Sequence, residues 1–340
     1  MTREGELPDE PASPEPPKPL KPAPKIRHRP LGSTGLEVSE LALGTWGLSG
    51  EGYGEVAASD VEDTIKRAVE LGITLFETSD AYEKGGMEER LGRLLEPYKE
   101  ETWVITRHGV DRSVDPPRRR FSPRYLESSI ARSRERLRRD AIDVLVLHNP
   151  SASGLVSSEL VAFLDEQKQK KTIGAWGVSA GDSEVARLAM SGGAQVVELA
   201  YNALFSSDLQ SVIGEARERN VALVAHSVLA YGLLVGMWPT SKEFAEGDHR
   251  RDRWTKDELA DRLEQVGAVR TLLSSEVHTL RSASLRFVLE NAAISSAVLG
   301  PRSVTQLEQL VRGAGSGPPY LDADRLTRLP GKLEAVGVFL

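Results

Sequence analysis

Eight short runs of apolar or β-branched residues recur along the chain, and segments with helical periodicity separate them. The runs cover residues 40–43, 74–76, 103–106, 142–147, 173–178, 196–200, 221–225 and 297–299. Several are almost continuously apolar, as expected of parallel strands that are buried on both faces. Eight strand and helix units in alternation predict an α/β protein with a (β/α)8 TIM barrel, in preference to an open doubly wound sheet.

The segments between the runs carry helix signals of their own. In residues 60–71, apolar side chains recur at spacings of three and four, which is typical of an amphipathic helix. Ser122 and Pro123 form an N-cap and a first-turn proline at the start of another helix. Residues 256–291 are long enough for two helices.

The amino terminus differs in composition from the rest of the chain. Residues 1–26 are rich in proline, whose rings forbid helix and interrupt a sheet ladder, so this segment is predicted to be a disordered tail. Residues 27–29 and 36–38 flank a Gly-Ser-Thr-Gly turn and predict a short hairpin. We therefore predict two parts, the tail and a barrel domain over residues 27–340.

Composition excludes several classes of protein. The 43 basic and 50 acidic residues give a net charge of −7, which argues against a nucleic-acid surface. The chain has no cysteine, and no pair of its six histidines has ligand spacing, so no disulfide and no metal site are expected. A bilayer span needs about 18 apolar residues, and neither such a run nor a signal peptide occurs. A cytoplasmic location without membrane partners is predicted, and the oligomeric state stays open.

Polar side chains follow the predicted strands at their carboxyl ends. The second strand is followed by Glu77, Asp80 and Tyr82, the third by Arg107, and the fourth by His148. In a barrel these ends meet in one cavity, where active sites lie.

These side chains suit proton donation. A phenol has a pKa of about 10, and a neighbouring cation stabilises its phenolate. A carboxylate can hold the cation, and an imidazole can polarise a substrate oxygen. Two plainer interpretations remain open: Glu77 and Arg107 as a structural ion pair, and His148 as a satisfied core residue.

The order of several motifs resembles that of the aldo-keto reductase family over roughly residues 29–313. The motifs are RPLGSTGL at 29–36, LGTWG at 43–47, FETSDAY at 76–82, EERLG at 88–92, IDVLVLHNP at 142–150, GAWGVS at 174–179 and GPRSVTQL at 300–307. The resemblance implies a (β/α)8 barrel that reduces carbonyls with NADPH. No Gly-x-Gly-x-x-Gly turn follows the first strand, so a dinucleotide would be held in another way.

The family works with a tetrad of Asp, Tyr, Lys and His, and the resemblance places it on Glu77, Tyr82, Arg107 and His148. Tyr82 would be the general acid, and His148 would orient the carbonyl. Two members are changed, because Glu77 is one methylene longer than Asp and Arg107 replaces an amine by a planar guanidinium that keeps its proton. Asp80 is expected to cap the loop or to contact the cofactor side of the site.

The resemblance also implies a set of cofactor-binding residues: Gly44, Thr45, Trp46, Ser179, Glu198, His226, Ser227, Leu229, Gly232, Gly300, Arg302, Ser303 and Gln306. Glu198 stands where the family has Gln, His226 stands where an aromatic residue commonly stacks on nicotinamide, and Ala180 stands where the family has Asn. Arg302 and Ser303 suit a 2′-phosphate, which favours NADP(H).

The function predicted from these residues is NADPH-dependent reduction of an aldehyde, ketone or sugar carbonyl, with Tyr82 as the general acid. Two alternatives stay open: a redox-neutral lyase, dehydratase or isomerase step on the same barrel, and a non-catalytic nucleotide-binding subunit. Substrate choice is expected to depend on the loops at 47–56, 111–121 and 231–254. Four tryptophans, at 46, 176, 238 and 254, are candidates for lining the pocket.

Overall fold

Eight parallel strands close into a barrel in the computed structural model, which describes residues 24–155 and 157–339. In chain order the barrel strands are β3 (Leu41–Gly44), β4 (Leu75–Ser79), β5 (Trp103–His108), β8 (Ile142–His148), β9 (Ile173–Ser179), β10 (Val196–Ala200), β11 (Ala222–His226) and β12 (Ile294–Leu299). Each strand pairs with the next, and β12 pairs with β3. The predicted (β/α)8 barrel is confirmed.

Two hairpins lie outside the barrel sheet. The first joins β1 (His28–Pro30) to β2 (Glu37–Ser39), where the sequence predicts one. The second joins β6 (Val110–Asp111) to β7 (Arg118–Arg119), directly after β5.

The helices of the described residues follow the strands and cover the barrel. They are α1 (Ala58–Glu70), α2 (Gly86–Leu95), α3 (Pro123–Leu137), α4 (Ala152–Leu155), α5 (Ser158–Gln169), α6 (Ser183–Ser191), α7 (Ser207–Glu218), α8 (Lys256–Val269), α9 (Leu280–Glu290), α10 (Val304–Ala314) and α11 (Ala323–Glu334). The predicted pair of helices after residue 256 corresponds to α8 and α9. Within the described ranges, no helix is long and apolar enough to cross a membrane.

The β1–β2 hairpin seals the amino-terminal end of the barrel. Leu31 and Val38 from the hairpin are fully buried against the side chains that fill the barrel interior. Gly32 approaches β11 so closely that a Cβ would lie 2.5 Å from the Ala222 nitrogen, and its φ of +54° also favours glycine. Active-site chemistry is thereby confined to the opposite end.

A buried ion pair ties this closed end together. The Arg29 guanidinium lies 3.0 Å from Glu40, and it also donates to the backbone oxygens of Ile294 and Leu289. The Tyr320 hydroxyl contacts both carboxylate oxygens of Glu40, at 2.8 and 2.7 Å. This set, Arg29, Glu40 and Tyr320, is called the lower cluster below.

Several boundaries differ from the sequence prediction. β4 runs through Glu77 to Ser79 and β5 runs through Arg107 to His108, so residues expected beyond the strands belong to them. Buried polar side chains are tolerated there because they find partners. Ser122 precedes α3 as predicted, but its side chain makes no capping hydrogen bond. Of the predicted tail, residues 1–23 lie outside the described residues, and Ile26 is already buried.

Candidate active site

A cavity of about 870 Å³ lies at the carboxyl ends of the barrel strands. Four predicted catalytic side chains line it: Glu77, Tyr82, Arg107 and His148. Glu77 is the third residue of β4, and Tyr82 begins the turn that follows β4. Arg107 and His148 come from the ends of β5 and β8, so parallel strand pairing brings the four together.

One arginine pairs with two carboxylates at the base of this cavity. Arg107 Nε donates to Glu198 Oε2 on β10 at 2.7 Å and lies 3.0 Å from Glu77 Oε1. The single Nε hydrogen points to Glu198, so Glu77 Oε1 has an ionic contact without a hydrogen bond. Glu198 Oε1 is also buried without a hydrogen-bond partner. The set Arg107, Glu77 and Glu198 is called the upper cluster below.

Gly44 provides the space that the longer carboxylate needs. A Cβ at this position would lie 2.6 Å from Val298 Cγ1 and 3.1 Å from Glu77 Oε2. A larger residue at 44 would therefore displace the Glu77 carboxyl from Arg107.

The upper cluster holds a proton at neutral pH. Burial raises the pKa of Glu77 most strongly, Arg107 opposes the shift, and Glu198 adds to it, which leaves the pKa at about 8 instead of 4.5. Burial lowers the pKa of Arg107, but Glu198 and Glu77 together outweigh burial and the net shift is upward. The Arg107 guanidinium thus faces a Glu77 carboxyl that keeps its proton at neutral pH.

Tyr82 and His148 face each other beside this cluster. Their ring centroids are 6.3 Å apart and their planes are perpendicular, at 89°. Burial raises the pKa of the Tyr82 phenol, with Glu77 adding to the shift and Arg107 opposing it. Burial, Arg107 and Arg119 lower the pKa of His148 well below 6.5. A protonated phenol and a neutral imidazole therefore stand together at neutral pH.

Asp80 does not face the cavity, contrary to the expectation that it caps the loop or contacts the cofactor side. Asp80 Oδ2 accepts a hydrogen bond from Ser129 on α3 at 2.6 Å, and Ser129 also lies 2.7 Å from His108 Nδ1. The correction follows from the strand geometry, because side chains beyond Glu77 alternate between the barrel interior and the helix layer.

Most of the predicted cofactor-binding residues line the same cavity: Gly44, Trp46, His226, Ser227, Leu229, Gly232, Gly300, Arg302 and Gln306. Four others do not: Thr45, Ser179, Glu198 and Ser303. Thr45 is buried against Thr78, Glu198 lies beneath the cavity in the upper cluster, and Ser303 caps α10. Burial and Arg107 lower the pKa of His226 to about 3, so it is neutral.

The charges on the cavity wall fit a dinucleotide. Six arginines line it against one carboxylate, Glu77: Arg107, Arg119, Arg250, Arg253, Arg281 and Arg302. Guanidinium groups bind phosphate oxygens through charge-assisted hydrogen bonds. Two of them, Arg281 and Arg302, have a buried Nε without a hydrogen-bond partner.

Two loops meet over the cavity and carry residues that sequence reasoning missed. The backbone N–H of His249 donates to the backbone oxygen of Gly52 at 2.9 Å, and Tyr53 forms a β-bridge with Asp248. Tyr53, Tyr231, Arg250 and Arg253 line the cavity from these loops. The density of aromatic and arginine residues in the two loops is the signal that could have identified them.

The four candidate tryptophans separate into two pairs. Trp46 and Trp238 line the cavity. Trp176 is 1% exposed in the core, and Trp254 packs against the rings of Tyr231 and Trp238.

The chain is similar to known proteins in sequence and in fold. The chain is 25% identical over 294 residues to aldo-keto reductase YhdN of Bacillus subtilis, covering 84% of this chain and 88% of that protein. It is 25% identical over 329 residues to the NADH-specific methylglyoxal reductase of Escherichia coli, covering 90% and 98%. Its fold matches that of aldo-keto reductase AKR11C1 from Bacillus halodurans in its holo form, with a TM-score of 0.75, 20% identity and coverage of 90% and 96%.

A sequence model of the Aldo/keto reductase family matches residues 40–315, which span the barrel from β3 to the end of α10. The match includes the strand ends that bring Glu77, Tyr82, Arg107 and His148 together. With this barrel, this cavity and this match, the chain belongs to the aldo-keto reductase family.

Proposed function

We propose that the protein reduces an aldehyde, ketone or sugar carbonyl with NADPH and that Tyr82 is the general acid. The observation that carries the proposal is the pairing of a protonated phenol, Tyr82, with a neutral imidazole, His148, in a cavity lined by arginines. Membership of the aldo-keto reductase family supports carbonyl chemistry with a nicotinamide cofactor in general.

When bound, the reduced dinucleotide supplies a hydride to the carbonyl carbon. The protein must supply the matching proton, so that C=O becomes CH–OH. Tyr82 donates its phenolic proton to the oxygen while His148 hydrogen-bonds to the same oxygen and orients it. The charge of Arg107 stabilises the phenolate that results.

Glu77 has a distinct part in this scheme. Arg107 keeps its proton, so it cannot pass one back to the Tyr82 phenolate. Glu77 carries a proton at neutral pH, and it is one of the groups that raise the pKa of Tyr82. We assign Glu77 the transfer of its proton to the Tyr82 phenolate after each turnover, and Glu77 then takes up a new proton from solvent through the cavity.

The preference for NADP(H) over NAD(H) rests on the far end of the cavity. Arg302 donates to the backbone oxygens of Gly54 and Glu55 at 2.8 and 2.9 Å, and its Nε has no partner. The side-chain oxygen of Gln306 accepts a hydrogen bond from the backbone N–H of Arg302 at 2.9 Å. Arg302, with Ser303 at the start of α10, is proposed to hold the 2′-phosphate.

Cofactor titration tests this function directly. NADPH is expected to quench the fluorescence of Trp46 and Trp238 on binding and to be oxidised in the presence of a panel of aldehydes, ketones and sugars. Tyr82→Phe is expected to lower kcat by about 10²–10⁴-fold, the usual contribution of general acid catalysis, while NADPH still binds. The proposal fails if NADPH neither binds nor is oxidised, and Tyr82 loses its role if the variant turns over at the wild-type rate.

A redox-neutral step is the second candidate, and the upper cluster favours it. Two carboxyl groups, Glu77 and Glu198, contact the same guanidinium of Arg107, and an acid and base step needs such a pair of carboxyls. Under this alternative, Arg107→Lys should raise reductase activity strongly, because Arg107 has then been holding the site away from reduction. NADPH binding without any turnover would instead support a nucleotide-binding subunit. A cytoplasmic location remains a prediction.

A further inference from the structure

The β6–β7 hairpin carries an arginine to the rim of the cavity. The hairpin begins two residues after β5, the strand that provides Arg107, and Val110 pairs with Arg119 in its ladder. Arg119 lines the same cavity as Tyr82 and His148. Its position is therefore on the side of the cavity where the carbonyl is reduced in the function proposed above.

Arg119 is unlike its neighbours because it has no acidic partner among the described residues. Arg112 lies 2.6 Å from Glu51, and Arg120 lies 2.8 Å from Asp111. Partial burial lowers the pKa of the Arg119 guanidinium, and no carboxylate opposes that shift. Arg119 is exposed at the rim of the cavity, so its donors are accessible to an anionic group.

Four other arginines of the cavity already have contacts within the protein. Arg250 is paired with Asp248 at 2.5 Å, and Arg281 donates to Gln309 at 2.8 Å. The Arg253 guanidinium stacks on the Tyr231 ring at 3.6 Å, and Arg302 is bound by loop carbonyls. These four suit the phosphates of a dinucleotide.

Burial, Arg107 and Arg119 are the largest causes that lower the pKa of the His148 imidazole. Arg107 is held by the upper cluster, so Arg119 is the cation that remains for a substrate. The position of Arg119 on the hairpin that follows β5 distinguishes it from the other four arginines.

There is also room for a substrate tail next to Arg119. A second cavity of about 540 Å³ adjoins the first, and Arg119 and Asn149 line both. An anionic group at Arg119 would therefore lie where the two cavities meet.

We propose that the substrate is a carbonyl compound with a carboxylate or phosphate group and that Arg119 binds this group while the carbonyl lies at Tyr82 and His148. The proposal rests on the reductase function proposed above. A planar guanidinium binds either anion with two parallel hydrogen bonds, so Arg119 selects charged over neutral carbonyls.

Matched pairs of substrates test this selection. We would measure kcat/KM with NADPH for 4-carboxybenzaldehyde against benzaldehyde, and for glyceraldehyde 3-phosphate against glyceraldehyde. The wild type is expected to favour the anionic member by at least tenfold. The pair with the larger ratio tells whether the anion is a carboxylate or a phosphate.

Variants then assign the effect to Arg119. Arg119→Gln is expected to lower the ratio of anionic to neutral kcat/KM by at least tenfold, and Arg119→Lys by less. Arg118→Gln is the control, because Arg118 is an exposed residue of the same strand that does not line the cavity. It should leave both rates within twofold of the wild type.

The outcomes distinguish this proposal from the reductase function. Reduction of neutral and anionic aldehydes at equal rates, or an unchanged ratio in Arg119→Gln, overturns the role of Arg119 and leaves the reductase function intact. If no aldehyde is reduced, the reductase function fails. Calorimetry with 4-methylbenzoate and phenyl phosphate then still tests whether Arg119 binds an anionic group. Equal binding by wild type and Arg119→Gln then overturns the anion site.

Discussion

The lower and upper clusters are two buried arginine and carboxylate sets at opposite ends of one barrel. In the lower cluster, Arg29 faces a single carboxylate, Glu40, and Tyr320 donates to both of its oxygens. In the upper cluster, Arg107 faces two carboxylates, Glu77 and Glu198, and each keeps one oxygen without a hydrogen bond.

The difference shows that similar groups can have different roles, one structural and one in holding a proton. Every charge of the lower cluster is matched, so it holds the hairpin and the C-terminal segment to the barrel. In the upper cluster, burial is the main cause that raises the pKa of Glu77 to about 8, and the second acid, Glu198, adds to the shift, so Glu77 binds a proton. A complete network stabilises the fold, whereas an incomplete one stores a proton.

The largest effect is expected from removal of Arg29. Arg29→Ala leaves Glu40 buried without its counter-charge, and breaking a buried pair in this way costs about 3–5 kcal/mol. The free energy of unfolding, measured in urea, should fall by this amount. Arg217→Ala, an exposed residue of α7, is the control and should change stability by less than about 0.5 kcal/mol. Equal losses in the two variants would show that the lower cluster is not structural.

The second effect is on the pH dependence of stability. Folded Glu77 stays protonated up to a pH of about 8, whereas the unfolded carboxyl ionises near 4.5. Between these values the folded state binds more protons, so stability falls as pH rises. Glu77→Gln cannot ionise and should remove this slope, a difference on the order of 2 kcal/mol after relaxation of the buried site.

Urea unfolding at pH 5 and at pH 8 measures this difference between the wild type and Glu77→Gln. Glu100→Gln, at an exposed position, is the matched control and should keep the wild-type slope. The same slope in Glu77→Gln as in the wild type would show that Glu77 is ionised throughout, and the upper cluster would then hold no proton.

The smallest effect is expected from the phenol of the lower cluster. Tyr320→Phe removes the hydroxyl that contacts Glu40, and a hydrogen bond to a charged group contributes about 1.5 kcal/mol. Stability should fall by that amount while kcat/KM for the best carbonyl substrate is unchanged. Tyr82→Phe should behave in the opposite way. If Tyr320→Phe loses activity although it is fully folded, the lower cluster affects catalysis as well as stability.

The barrel could be predicted because its strands are almost continuously apolar, but their ends could not. β4 continues through Thr78 and Ser79 since Thr78 pairs with Thr45 and Ser79 donates to the Arg107 oxygen. Thr45 follows β3 and Arg107 lies on β5, so nothing in the local sequence identifies Thr78 and Ser79 as strand residues.

The catalytic set could be predicted from strand ends because parallel strands place those ends together. Its internal pairing could not, since Arg107 reaches Glu198 across 91 positions of the chain. Asp80 was misplaced because a residue count does not tell which face of the barrel a side chain takes once the strand ends. Arg119 could not be predicted as a site residue because it lies in a short hairpin without apolar periodicity.

The 2.7 Å contact between Arg107 and Glu198 also constrains how this protein can evolve. Loss of Arg107 would leave two buried carboxyls without a counter-charge, whereas loss of Glu198 would leave Arg107 paired with Glu77, so substitution is expected to be less tolerated at position 107 than at position 198. Because the two side chains are in contact, the effects of substitutions at positions 107 and 198 are expected to be non-additive.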